Sequence, residues 1–233
     1  MIRTGLIIYI TVIIAMISIN FWAMGQLPAE NIPVHWGLDG LPDRFADRRE
    51  ATLTLWIVPI STLISGALLA AAPLIEPLKQ NLQRSHKAYT VIFSSIMLLM
   101  LAVHAGIALL MVRSVSTDVE ANQFVRFIIA GTAILFIIKG NYLPKTRQNW
   151  FLGIRTPWTL SSAYVWERTH RLAGRLFMLA GLIFLIGAFL FSGPQLLLML
   201  AATLGSVALI TVVYSYLIWR SAEDKNVGSD YIV

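Results

Sequence analysis

Six apolar stretches, nearly free of charge, alternate with polar connectors along the chain. They run roughly Gly5–Met24, Leu53–Ile75, Ala88–Val112, Phe124–Ile138, Leu176–Phe191 and Gln195–Trp219. Several reach the ~17–25 residues that cross a bilayer core at ~1.5 Å per residue. Lipid offers a backbone no hydrogen bonds, so each stretch is predicted to be a helix. The first also admits a reading as a secretory signal, since Arg3 precedes it and Ala23–Gly25 has small residues at its ends. Its apolar run exceeds the usual core of a signal of about 7–15 residues, which favours a retained helix.

The polar connectors set the orientation. With the N-terminus inside, thirteen of the eighteen lysines and arginines fall on the cytoplasmic side. Arg44, Arg48, Arg49, Arg113 and Arg126 remain outside. Positive charge marks the cytoplasmic loops. The expectation is a multi-pass protein of the cell membrane with both termini cytoplasmic. The fold class is all-α integral membrane, with six transmembrane helices, an external turn-rich loop and a structured cytoplasmic loop. Residues 1–75 form an N-terminal membrane hairpin carrying the external loop (25–50), and residues 76–233 a four-helix membrane region carrying the cytoplasmic loop (140–175).

Composition removes the soluble alternative. The chain is 57% hydrophobic and 13% charged with mean hydropathy +0.72, more apolar surface than one soluble core of this size can hide. It has no cysteine, hence no disulfide framework, thiolate nucleophile or cysteine metal site. The net charge of +6 is explained by topology before any nucleic acid, so membrane lipids are the expected partners and no direct nucleic-acid binding is expected.

The external segment "LPAENIPVHWGLDGLPDRFADRRE" is dense in turn signals. Pro28, Pro33 and Pro42 oppose helix, and Asp39-Gly40 favours a turn. "IPVHW" can pair with the stretch near Phe45 as a short hairpin. His35, Asp39, Asp43 and Asp47 are metal-ligand types, but one histidine with scattered aspartates lacks the spacing of a zinc site, and no metal is assigned. Pro33, His35, Trp36, Asp39 and Gly40 are the candidate positions of this surface, with Trp36 as an interfacial anchor.

The inner connector "GNYLPKTRQNWFLGIRTPWTLSSAYVWERTHR" holds three tryptophans and five basic residues. Interfacial anchoring accounts for that composition. It accounts less well for the punctuation. Pro144 and Pro157 turn the preceding residue from helix, Gly140 and Gly153 open unusual backbone conformations, and Thr159, Ser161 and Ser162 offer caps for a new helix. On that helix Trp166, His170 and Gly174 share one face, beside a basic stripe of Arg168, Arg171 and Arg175, and Glu167 can pair with Arg171. His170 is a general-base type, yet the nucleophile and orienting partner are missing, so no enzyme and no cofactor are expected. Arg147 and Arg155 can fork onto carboxylates or phosphates, and Trp150, Trp158 and Trp166 offer broad contact area for a partner.

The stretch Gly140–Phe177 resembles the signature of the SdpI family, bacterial membrane proteins whose named member gives immunity to a secreted peptide toxin. "LPAENIPVHWGLDGLPD" is similar to the small uncharacterised domain that commonly precedes that signature. Asn141, Pro144, Lys145, Arg147, Trp150, Gly153, Arg155, Thr156, Pro157, Trp158, Trp166, His170 and Arg171 match the family motif. Gln148 stands where the family pattern leads to an expectation of proline, and Ala163 where an acidic residue would follow the serines. The resemblance implies six helices, a peptide toxin met on the external side and a cytoplasmic repressor held at the membrane. Asn141, Pro144, Lys145, Arg147, Trp150, Arg155, Trp158, Trp166, His170 and Arg171 are the expected partner-binding set. A small-solute transporter is the rival, resting on His104 within the third apolar stretch; a membrane-embedded enzyme is a weaker one.

Overall fold

The computed structural model describes residues 2–37, 41–114 and 118–225. Asp39 and Gly40 lie outside the described residues. Among the described residues, six helices are long and apolar enough to cross a membrane. In chain order the elements are α1 (Ile2–Gln26), strands β1 (Ile32–Trp36) and β2 (Pro42–Ala46), α2 (Arg48–Leu55), α3 (Ile57–Ile75), α4 (Lys79–Arg84), α5 (His86–Val112), α6 (Asp118–Tyr142), α7 (Pro157–Leu160), α8 (Ala163–Leu190) and α9 (Pro194–Ser221). A break at Trp56 separates α2 from α3, which together make the second span.

The spans group by threes. α1, α3 and α5 pack around buried Tyr9, Val12, Met16, Phe93 and Met97, with Ala23, Leu55, Ala108 and Met111 continuing the core towards the β-hairpin. α6, α8 and α9 enclose Ile129, Ala133, Ala180, Phe184, Leu196 and Val207. Ile7, Ile14, Leu68, Leu182, Phe189 and Leu209 are exposed, the apolar surface that lipid covers. α5, assigned by the sequence division to the second region, packs in the core of the first group.

Close approach is bought with glycine. A Cβ on Gly66 would sit 2.3 Å from the Tyr9 ring, whose hydroxyl donates to the Leu63 carbonyl at 2.6 Å. A Cβ on Gly140 of α6 would meet the Gly174 carbonyl of α8 at 2.6 Å, and one on Gly174 the Gly140 carbonyl at 2.7 Å. The small face of Ala201 and Gly205 is different: nothing lies within 4 Å of a Cβ on Gly205, and both residues are exposed. That pair fills no helix contact, because α9 turns this face outward.

The strand pairing anticipated for "IPVHW" is present, with Ile32 opposite Ala46 and Pro33 opposite Phe45 in an antiparallel register. Asp47 then caps α2, accepting from the Glu50 N–H at 2.8 Å.

Candidate functional site: the signature loop

The connector from α6 to α8 folds into an interlocked body. Pro144 starts a short 3-10 turn (Leu143–Lys145) after α6, where its missing N–H costs nothing. Beyond it Asn149, fully buried, organises the chain with its side chain alone. Its amide nitrogen donates to the Arg147 and Leu152 carbonyls at 2.7 and 3.1 Å, and its oxygen accepts from the Phe151 and Leu152 N–H at 3.0 and 2.6 Å. Glu76, also fully buried, accepts from the Leu78 and Trp150 N–H, both at 2.9 Å. Ser85 Oγ accepts from the Arg147 N–H at 2.8 Å. The loop is therefore stitched to the connection between α3 and α5 by two residues that lie 60 or more positions away in sequence.

A second knot ties it to α8. Trp166 and His170 stack at a centroid distance of 4.0 Å. Trp166 Nε1 donates to the Thr146 carbonyl at 3.1 Å. His170 Nε2 accepts from the Ile154 N–H at 2.9 Å, so its other nitrogen, 2.7 Å from the Trp166 carbonyl, carries the proton as donor. Gly153 crosses directly above these rings with φ +129°, and a Cβ there would lie 2.3 Å from His170 Nε2 and 2.9 Å from the indole. Only glycine fits. Both imidazole nitrogens are spent on the backbone, which leaves neither for acid–base chemistry in this arrangement.

The remaining turns are capped. Thr156 and Thr159 form a reciprocal capping box around α7 with Pro157 in the first turn, and Thr156 Oγ1 lies 3.2 Å from Ser215 Oγ of α9. Trp158 packs on Tyr216 at 5.1 Å, and Trp219 Nε1 donates to Ser161 Oγ at 3.0 Å. Gln148, standing where proline was expected, donates to the Thr159 and Leu160 carbonyls at 2.8 and 3.2 Å. Ser162 caps α8. The carboxylate missing at Ala163 comes from elsewhere: Asp224 accepts from Ser162 Oγ and from the Tyr164 N–H at 3.0 Å. Burial alone would raise the Asp224 carboxyl, but these hydrogen bonds outweigh it and hold the group below its usual range. The helix N-terminus favours the same anion.

The expected docking residues divide into three groups by exposure. Trp166 and His170 are interior, 1% and 0% exposed, and offer a partner no surface; their part is to hold the loop. Pro144 and Trp158 are half-buried, the former against Gly174. Asn141, Lys145, Arg147, Trp150, Arg155 and Arg171 are exposed. Lys145 Nζ lies 3.2 Å from Asn141 Oδ1, Arg155 donates to the Trp150 carbonyl, and Arg171 pairs with Glu167 at 2.5 Å. A cleft of about 400 Å³ opens among Arg84, Lys145, Arg147, Gln148, Glu167 and Arg171. Glu76, Ser85 and Asn149 escaped sequence reasoning. A lone glutamate directly after an apolar run was the available signal for Glu76; nothing local marks Ser85.

On the hairpin, Pro33 is buried, Trp36 packs half-buried against the Ala23–Met111 core, and exposed His35 bonds Asp43 at 2.6 Å.

The SdpI/YfhL protein family matches residues 145–215, and a domain of unknown function (DUF1648) matches residues 11–62. Immunity protein SdpI of Bacillus subtilis (strain 168) is 29% identical over 192 residues, covering 82% of this chain and 84% of that protein. The chain is thus similar to SdpI-family proteins, in its signature loop by the family match and over most of its length by this relative. No solved structure matches it. The SdpI match opens at Lys145 in the 3-10 turn and closes at Ser215, the α9 residue facing Thr156. It thus encloses the loop, α7, α8 and the part of α9 that braces them. The other match runs from within α1 through the β-hairpin to Thr62 of α3.

Proposed function

We propose that this membrane protein confers immunity to a secreted, membrane-active peptide and reports the peptide's presence to a cytoplasmic regulator. The observation that carries the reading is its alignment with an immunity protein over about four-fifths of both chains. Both termini and the signature loop face the cytoplasm in this reading, in keeping with the distribution of basic residues. The β-hairpin side, with Pro33, His35, Trp36, Asp39 and Gly40, meets the peptide. On the inner face Trp150 and Arg155 form the centre of the docking surface, and Asn141, Pro144, Lys145, Arg147, Trp158 and Arg171 flank it. The interlocked loop supports this reading, because a rigid platform loses little conformational entropy when a partner binds. The peptide can shift the regulator's affinity only by binding one arrangement of the helices better than another.

Expression in toxin-sensitive cells tests it. Survival rises with the protein, and Trp150→Ala combined with Arg155→Ala, at equal membrane level, leaves protection in place while releasing the regulator from the membrane fraction. Killing that is unchanged by the protein removes immunity as its function.

One observation favours a second reading. His104 of α5 and Asn20 of α1 are fully buried, and all four of their polar side-chain atoms lack a hydrogen-bond partner among the described residues. The Met16 carbonyl faces His104 without meeting hydrogen-bond geometry. Intramembrane polar groups of this kind line solute pathways. Flux into reconstituted vesicles that His104→Ala abolishes would establish transport.

A further inference from the structure

The cleft at the signature loop gathers cations without neutralising them. Arg84, Lys145, Arg147 and Arg171 line it, against one carboxylate, Glu167. That carboxylate is already engaged by Arg171. Neither Arg84 nor Arg147 has an ion-pair partner among the described residues.

Their neighbourhood is fixed by the backbone. Ser85, next to Arg84, accepts the Arg147 N–H at 2.8 Å and donates its own hydroxyl to the Asn81 carbonyl at 2.8 Å. Two guanidinium-bearing segments are thereby pinned side by side across 62 residues of sequence. Like charges held close repel, and an anion between them relieves the repulsion. Guanidinium forks match the oxygens of a phosphate.

The level of the cleft identifies the source. Leu74 and Ile75, 75% and 69% exposed, end the lipid-facing surface of α3 immediately before Glu76 and α4, which carries Arg84. On the other wall Arg171 lies about two turns before Met178, the first large exposed hydrophobic residue along α8 after Tyr164. The cations therefore stand just past the hydrocarbon boundary, in the headgroup zone. Lys145 over the Tyr142 ring at 4.8 Å and exposed Trp150 give this rim an interfacial composition.

We propose that this cleft binds a phosphate group, and that its occupant is the headgroup phosphate of an anionic phospholipid. The inference goes beyond immunity and docking, and needs neither toxin nor regulator.

The experiment uses the full-length protein in phosphatidylcholine nanodiscs with and without phosphatidylglycerol, counting retained phosphatidylglycerol by native mass spectrometry after release. Retention of phosphatidylglycerol over phosphatidylcholine is expected, weakened roughly tenfold or more in Arg84→Gln with Arg147→Gln. Glu167→Gln removes the one carboxylate and strengthens retention, a gain that misfolding cannot imitate. A parallel arm adds inorganic phosphate to detergent-solubilised protein. Binding of free phosphate that the arginine variants abolish, without selective lipid retention, overturns the lipid assignment. Wild-type retention in the double arginine variant, or weaker retention in Glu167→Gln, overturns the site.

Discussion

The two connectors that leave the membrane at opposite ends of the bundle are built on opposite principles. The β-hairpin between α1 and α2 is held by backbone pairing and by apolar packing of Ile32, Val34 and Ala46 on the ends of the helices. Its polar pairs, His35 with Asp43 and Arg44 with Glu50, are exposed. The signature loop has almost no regular structure and is held by buried polar side chains: Glu76, Ser85, Asn149, Thr156, Thr159 and His170 each bond backbone groups or one another in its interior. A surface ion pair contributes about 0–1 kcal/mol, whereas orphaning one buried polar group costs about 1–3 kcal/mol. The hairpin should tolerate change where the signature loop does not.

Glycine substitution tests this most severely. Gly153→Ala forces a Cβ into His170 and Trp166 at a backbone angle that disfavours it, and a loss of roughly 3 kcal/mol or more is expected as a lowered Tm in detergent. Gly25→Ala, at the hairpin end of α1 with nothing within 4 Å, should leave Tm unchanged or raise it slightly. Equal losses at both positions would break the contrast. Glu76→Ala strands the Leu78 and Trp150 N–H and should cost about 2–5 kcal/mol, with Glu76→Gln milder because one oxygen remains. Limited proteolysis around Trp150 reports it. His170→Ala should cost about 2–4 kcal/mol, since it removes the Ile154 acceptor and opens a cavity beside Trp166.

The Asp224 clasp gives a pH-dependent effect. Its folded pKa is depressed, so its contribution is complete above the unfolded pKa and is lost as pH falls through the lower folded value. Protection of the amides at the start of α8, relative to their intrinsic exchange rates, should therefore fall in acid, and Asp224→Asn should flatten that response at small cost near neutral pH. Smallest of all, His35→Ala should shift stability by no more than about 0.5 kcal/mol, because the pair with Asp43 is well over half exposed on the histidine side.

Six spans were legible because lipid leaves a backbone no choice but to bond itself, and the β-hairpin because Pro28, Pro33 and Pro42 oppose helix around "IPVHW". The face shared by Trp166, His170 and Gly174 followed from helical spacing alone. What spacing does not carry is contact across the fold. Glu76 and Ser85 serve a loop some 60 to 75 residues away, and Asp224 supplies from the far end of α9 the carboxylate that Ala163 lacks. Trp166 and His170 read as recognition chemistry because tryptophan and histidine serve both binding and burial; only packing distinguishes the two uses. Gly205 shows the same limit of spacing, since a small residue marks a contact only if a neighbour arrives to fill the space.

The reciprocal contact of Gly140 with the Gly174 backbone constrains motion as well as packing. Where two main chains touch with no side chain between them, neither helix can roll about its own axis without steric collision. Along this contact α6 and α8 are thereby held as one packed unit.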